Sequence, residues 1–365
     1  MIERLHGKEG GCLMNRRVEK NGTLGGVFSS ETLPVGWVDQ VNSSQVQMVE
    51  FIEQSELGLA VIGEIPRSSN SRTFLVRGGD GLRVWQFGPP VESGHGLKKE
   101  RLNPMKFEIA SETVALGRAG GVNLPRIGRF GFMSMGEEER GYVEMEYMPG
   151  VGADRFLRGA GEFGTLVYGR VGEQLGLLGS IEAEGALDIR DKLRVAFDFM
   201  EKEGTYDKAS ARETLRDILK RIEPFLGVPT RLVHTDPFPV NWQVSGARSN
   251  PRVGLLDVEA IQVGNPWLEG IGRAMQWGAV DWFYIVGAEP PSGVMASLVA
   301  GFNSKVDEPL KISGDSVFWG DLMEASELVW LPQAICIEML KDVPSETPER
   351  RKSVIKKLLK QNESE

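Results

Sequence analysis

Cysteine is nearly absent: Cys12 and Cys336 are the only two in 365 residues, and there are only three histidines. That supply cannot build a disulfide framework and argues against a zinc cage. No apolar run has the roughly 20 residues of a membrane-spanning helix. Met1 to Cys12 lacks the apolar core of a secretory signal. The expectation is a cytoplasmic, reduced protein. Positive charge is also in deficit, with a formal net charge of -9. An acidic chain is not built to embrace nucleic acid or an anionic membrane, so neither is an expected partner. Any phosphate it handles needs a locally basic or metal-bridged site. What is present is globular: 41% apolar residues and enough length for one large domain or two lobes sharing a cleft.

The texture changes along the chain. Residues 1–44 are rich in Gly, Ser and charge and read as a loose tail. Gln45 to Leu57 fits either a helix or a strand. Thr73-Phe-Leu-Val-Arg and Leu82-Arg-Val-Trp-Gln-Phe flank a Gly/Asp cluster, which predicts a β-hairpin. Met105 to Ala119 has Ile109, Val114 and Leu116 at helical spacing, stopped by Gly120-Gly121. Two further strands are expected from Leu124 and from Gly141 to Tyr147. Residues 45–148 therefore read as a small β-rich lobe, with a hinge at Pro149-Gly150. Beyond it, 149–345 reads as a helical lobe, with helices near 164–178, 188–203, 210–226, 292–302 and 321–341. Ser210 and Glu213 suggest a capping box for the third of these. Residues 346–365 carry Arg350, Arg351, Lys352, Lys356, Lys357 and Lys360 and read as a charged tail, most simply a solvated helix.

The chemistry gathers in two segments. Leu232-Val-His-Thr-Asp-Pro-Phe-Pro-Val-Asn-Trp-Gln-Val244 is followed by Val253-Gly-Leu-Leu-Asp-Val-Glu259. Each apolar run predicts a short strand, and Pro237 and Pro239 force a rigid loop from Asp236 to Asn241. Phosphoryl transfer needs a carboxylate to orient a hydroxyl and take its proton, and oxygen ligands for Mg²⁺. His234-x-Asp236-x-x-x-x-Asn241 has the spacing of a kinase catalytic loop, and Asp257 can add a second metal ligand.

This stretch resembles the aminoglycoside phosphotransferase and choline kinase superfamily. Its usual form there is Leu-Val-His-Gly-Asp, four residues, Asn, then Ile-Asp-Phe/Trp-Glu and Gly-Asp-Pro. Gly264-Asn-Pro266 sits where the last motif belongs, with Glu269 where an Asp often follows. Leu298-Val-Ala-Gly-Phe-Asn303 is similar to the family's C-terminal helix, and Met145-Glu-Tyr-Met-Pro-Gly150 to a kinase hinge. The likeness runs in order over residues 65 to 305. It implies an α+β, two-lobed protein-kinase-like fold and a phosphotransferase using ATP or GTP with Mg²⁺. The acceptor would be a hydroxyl of a small molecule; acidic residues in the helical lobe would suit a cationic one. By resemblance Asp236 is the catalytic base, Asn241 and Asp257 hold Mg²⁺, and His234 braces the loop. The backbone carbonyl of Glu146 and N–H of Met148 would meet the base.

The chain also departs from that pattern. Gln86 stands where the third strand of a kinase carries its phosphate-binding Lys or Arg, so the charge-assisted part of that contact is missing. Arg83, at odd spacing from Gln86, belongs to the opposite sheet face. Arg77, Lys98, Lys99 and Lys106 are alternative cations. Glu112 is the expected helix partner of the strand position, with Glu108 a turn earlier as second candidate. Arg67-Ser-Ser-Asn-Ser-Arg72 is either a phosphate-covering turn or a plain surface turn. Glu259 faces the cleft or solvent. Gln86 motivates the alternative of a kinase-like binding protein without turnover.

Overall fold

A computed structural model describes residues 43–55, 59–65, 72–91, 104–135, 138–153, 161–185, 188–277, 292–340 and 346–360. Residues 1–42 of the expected tail, 66–71 of the Ser/Asn-rich turn, and Lys98 and Lys99 lie outside these.

Alternating apolar residues form the expected hairpin, β2 (Arg72–Gly78) and β3 (Gly81–Val91), closed at Gly81 with φ +126°, which favours glycine. With β1 (Ala60–Glu64), β4 (Ile127–Met135) and β5 (Glu138–Glu146) they make an antiparallel sheet of order β1-β2-β3-β5-β4. The period of two gives the sheet two different faces. Phe74, Val76, Trp85 and Phe87 pack on Met48 and Ile52 of helix α1 (Ser43–Ser55), which settles the ambiguous segment as a helix. Phe51 closes this cluster edge-on to Tyr142, with ring centroids 5.1 Å apart. The other face carries Val143, continuous with the large core beneath. Gln86 is opposite both Thr73 and Val143 in register, so it stands on this inner face.

Helix α2 (Pro104–Ala119) is where it was expected, but its buried stripe is different. Phe107, Ala110 and Val114 face the core, while Ile109 and Leu116 are 68% and 50% exposed. The apolar spacing was right for a helix and misjudged its inward side. After α2, Asn123 joins the lobes: its N–H donates to Gln174, its amide to Val253 O and its carbonyl accepts from Leu255 N–H.

The chain crosses at Gly150, whose φ of +138° and 2.4 Å approach of a hypothetical Cβ to Val244 O leave room only for glycine. The second lobe comprises β6 (Val151–Gly152) and helices α3 (Gly161–Gly179), α4 (Ile189–Lys202) and α5 (Lys208–Ile222). Then come β7 (Arg231–His234), β8 (Trp242–Ala247), β9 (Asn250–Leu255) and β10 (Ile261–Gly264). Helices α6 (Ser292–Asn303), α7 (Ser316–Leu340) and α8 (Glu346–Lys360) follow. Strands pair as β6-β8-β9 and β10-β7.

Three expectations change. Asp207 caps α5, accepting from Ala209 and Ser210 N–H, and Ser210 lies inside the helix instead of starting it. Its carboxylate is held below the usual range by these bonds, led by the Ser210 hydroxyl. Helix α7 begins at Ser316, with Asp315 accepting from Val317 N–H at 3.0 Å. The basic C-terminal segment forms α8 and is docked: Ile355 and Leu358 are buried, and Arg351 forks onto Glu338 of α7.

Helices α3 and α6 touch backbone to backbone. A Cβ on Gly172 would lie 2.0 Å from Leu298 O, and one on Gly301 2.1 Å from Gly169 O. The backbone cannot yield there as a side chain would. Gly172→Ala is expected to lower stability by about 2–3 kcal/mol through overpacking, measured by denaturant unfolding.

Candidate functional site

The site is built from the β7–β8 crossing and the turn after β9. β7 ends at His234, whose backbone pairs with Ile261 of β10. The ring is fully buried, and its Nε2–H donates to Leu256 O at 2.6 Å. The carbonyl needs a donor, which fixes the tautomer and leaves Nδ1 as a buried acceptor with no hydrogen-bond partner among the described residues. Burial pushes the ring's pKa down, against the Leu256 bond and the charges of Asp236 and Glu259. Burial thus favours the neutral imidazole, held by its bond to Leu256 O.

Leu256 is held a second time, its N–H donating to Asn241 O at 2.7 Å. It immediately precedes Asp257, the only non-glycine with positive φ among the described residues (φ 59°, ψ 53°). An L-residue pays roughly 1–2 kcal/mol for that region. The turn is closed from the other side as well. Asp257 O accepts from Ala260 N–H at 2.9 Å, and Ala260 O accepts both Thr235 N–H and Thr235 Oγ1. Thr235, where the motif it resembles has Gly, thus adds an anchor.

Asp236 lies on the proline-stiffened loop, half-buried. Its carbonyl accepts from Phe238 N–H at 2.8 Å and from Asn241 Nδ2 at 3.0 Å. Its Oδ2 accepts from the same amide at 3.2 Å. Pro239 opens the 3-10 turn Pro239–Asn241, where its missing N–H costs nothing. With its nitrogen committed to Asp236, the Asn241 amide turns its oxygen away, the orientation a hard cation needs. Asp236, Asn241 and Asp257 are thus tied to one another through Leu256. Among the described residues no three His, Cys, Asp or Glu side chains form a metal cluster, so an ion held here by Asn241 and Asp257 would rest on one amide oxygen and one carboxylate. That donor set suits Mg²⁺, with water and phosphate completing its shell.

The motif after β10 braces its own turn. Asn265 caps the π-helical turn Pro266–Ile271 through Trp267 and Leu268 N–H, and donates to Phe225 O at 2.9 Å. Glu269 accepts Asn265 N–H at 2.9 Å and pairs with Lys192 at 2.6 Å.

On the side expected to meet nucleotide, the helix partner differs from expectation. Arg83 is spent on Glu144 and Asp80, each at 2.7 Å, on the outer face as its spacing implied. Arg77 and Lys106 are exposed. Glu112 and Glu108 are exposed too, on the side of α2 away from Phe107, Ala110 and Val114. Helical phase is the reason that Glu112 does not turn inward. The inward polar residue of α2 is Thr113, which shares its hydroxyl between Ala110 O at 3.1 Å and Ile261 O at 3.4 Å. Glu259 is exposed. At the hinge, Glu146 binds Arg118 at 2.9 Å and Arg126 N–H at 3.2 Å through its carboxylate, and its N–H donates to Arg126 O. Met148 O accepts from Gln243 at 3.3 Å.

Sequence reading missed Arg273 and Trp277. The clue was a lone cation, with an aromatic one helical turn later, in an otherwise apolar run. Trp277 packs edge-on against Phe238 of the loop, ring centroids 4.8 Å apart. A separate surface depression of about 400 Å³, between α4 and α5, is lined by residues such as Asp198, Lys208 and Arg212 and shares none with the loop.

No protein-family model and no curated sequence matches this chain. Solved structures do. An ethanolamine kinase from Plasmodium vivax is 11% identical with a TM-score of 0.55, over 87% of this chain and 90% of that one. A choline kinase from Streptococcus pneumoniae is 12% identical with a TM-score of 0.54, over 87% and 99%. A thermostable aminoglycoside phosphotransferase variant, complexed with ADP and hygromycin B, is 13% identical with a TM-score of 0.56, over 85% and 98%. This chain therefore has the two-lobed protein-kinase-like fold of those enzymes, as its motif order implied. The resemblance is one of fold.

His234 sets a pH dependence. Its folded pKa lies below the unfolded value of 6.5, so the unfolded chain takes up the proton first. Its share of stability is complete above 6.5 and is lost as pH falls toward the folded value. The unfolding midpoint should drop as pH falls through about 6.5 toward the folded value, and His234→Gln should flatten that part of the slope.

Proposed function

We propose that this protein is a phosphotransferase that moves the γ-phosphoryl group of ATP, or GTP, to a hydroxyl of a small molecule. The observation that carries it is the double hold on Leu256, which ties the turn of Asp257 to the loop of Asp236 and Asn241. Related folds with ADP bound support nucleotide use.

In this reading Asp236 accepts a hydrogen bond from the acceptor hydroxyl and takes its proton as the acceptor oxygen bonds to the γ-phosphorus. The bond from that phosphorus to the β–γ bridging oxygen breaks, and the nucleoside diphosphate leaves. Asn241 and Asp257 would hold Mg²⁺, whose charge neutralises that developing on the phosphates. Burial of His234 keeps its ring uncharged and still. The hinge backbone at Glu146 and Met148 would recognise the base, with Gln86 the polar group of β3 on the phosphate side and Glu112 peripheral.

A second reading, a kinase-like protein that binds nucleotide or a partner without turnover, is favoured by Gln86 and by the outward turn of Glu112. Turnover separates the two. Asp236→Asn should reduce ATP turnover by at least about 100-fold, the scale of a general base, while Mg-ATP still raises the melting temperature. An unchanged rate excludes Asp236 as the base, and no thermal shift with Mg-ATP excludes both readings. Among the described residues no helix is long and apolar enough to cross a membrane.

Gln86→Lys restores the cation that kinases carry on this strand. It should tighten Mg-ATP binding by about fivefold, the gain of a charge-assisted over a neutral hydrogen bond, measured by calorimetric titration.

A further inference from the structure

Beyond the catalytic loop, the helix that continues from Pro266–Ile271 carries Arg273 and Trp277 one turn apart. Arg273 is 2% exposed, and a buried guanidinium is costly unless its N–H groups are paired. Aromatic rings stack with it: the Trp277 centroid lies 4.8 Å from Cζ and that of Trp330, on α7, 4.3 Å. Its Nη1 donates to Gln276 Oε1 and lies 3.7 Å from Glu327, too far for a hydrogen bond. Nε and Nη2 have no hydrogen-bond partner among the described residues.

Those two groups form one edge of the guanidinium, a planar fork that matches both oxygens of a carboxylate. The fold contains its own comparison. Arg351 also stacks on Trp330, with Cζ 4.6 Å from the centroid. Its Nε and Nη2 hold the two oxygens of Glu338 at 2.7 and 2.6 Å. The same edge on Arg273 points to the same kind of occupant. It is also near the chemistry, since Phe238 of the catalytic loop packs on Trp277 and the charge of Asp236 acts on Arg273. Burial lowers the guanidinium's pKa to about 10, which still leaves it charged at neutral pH. Glu327 is a poor counter-ion, because burial raises its own pKa.

We propose that the acceptor is a small hydroxy acid whose carboxylate binds the Nε/Nη2 edge of Arg273 while its hydroxyl faces Asp236. This deepens the phosphotransferase reading and rests on it. It replaces the cationic acceptor suggested by acidic composition, because the aromatic pair already encloses a cation of the protein's own. A carboxylate is the occupant this fold itself places on such an edge, the two oxygens of Glu338 on Nε and Nη2 of Arg351. The products are the phosphorylated hydroxy acid and the nucleoside diphosphate, and no further reactant is needed.

The full chain is assayed for ADP release from Mg-ATP with glycerate, gluconate and homoserine. The comparison compounds are the corresponding carboxamides, glycerol, glycerol 3-phosphate, choline and ethanolamine. At least one acid should be phosphorylated, and its carboxamide should lose at least about 30-fold in kcat/KM. Arg273→Lys, which keeps the charge and loses the fork, should show a similar loss, mostly in KM, with ADP affinity unchanged. Should that variant not fold, the acid-against-amide comparison in the wild-type protein decides alone. Preference for choline, ethanolamine or a neutral polyol, or an unchanged kcat/KM in Arg273→Lys, overturns this proposal and leaves the kinase reading standing. Preference for glycerol 3-phosphate overturns the carboxylate assignment. Absence of Mg-ATP binding overturns the kinase reading itself, and the proposal with it.

Discussion

The backbone of a single residue governs the candidate site. Leu256 offers its carbonyl to the buried ring of His234 and its N–H to the carbonyl of Asn241. Either bond alone would place a strand end. Together they fix the strand end against the loop, and the next residue, Asp257, sits in a left-handed conformation that an aspartate on a looser chain would leave. Ala260 closes the turn from beyond, clasped by Thr235. The cost of that backbone and the cost of burying an imidazole are offset by one hydrogen-bond network. Its product is a defined spatial relation between two carboxylates and an amide.

Around this centre the two lobes contribute unequally. The helical lobe commits buried polar groups to rigidity: Asn265, Glu269 and Lys192 brace the turn that follows β10. The β-rich lobe turns its strand cation, Arg83, elsewhere. Arg83 neutralises Glu144 and Asp80 on the outer face, and α2 presents Thr113 inward where a carboxylate was expected. In the proposed reading, Gln86 and the other described donors on that side are neutral, and charge neutralisation would fall to the metal held by Asn241 and Asp257. Such a division suits a weakly held nucleotide better than a tightly held one.

Local sequence made the centre legible for physical reasons. Prolines 237 and 239 exclude helix and central strand, so the loop between β7 and β8 was readable, as were the short apolar runs on each side. The hairpin of β2 and β3 followed from alternation and a glycine turn. What could not be read was helical phase and long-range partnership. Ile109 and Leu116 looked like core and are exposed, because a helix of mixed composition does not announce its inner face. Ser210 looked like a cap, yet Asp207 takes that role through two N–H bonds. The basic C-terminal segment looked solvated, but the cation–aromatic stack of Arg351 on Trp330 and its fork with Glu338 dock it. Arg273 was overlooked because its significance depends on Trp330, which is far away in sequence.

The central claim is that Asp257, held by the Leu256 network, supplies an oxygen to a cation shared with nucleotide phosphates. Calorimetric titration of ATP in saturating Mg²⁺ and in excess chelator, on the wild-type protein and on Asp257→Ala, tests it most directly. The account predicts affinity at least about tenfold higher with Mg²⁺ in the wild type and no such gain in the variant. Equal affinity in the two media, or a magnesium gain that persists in Asp257→Ala, would contradict it.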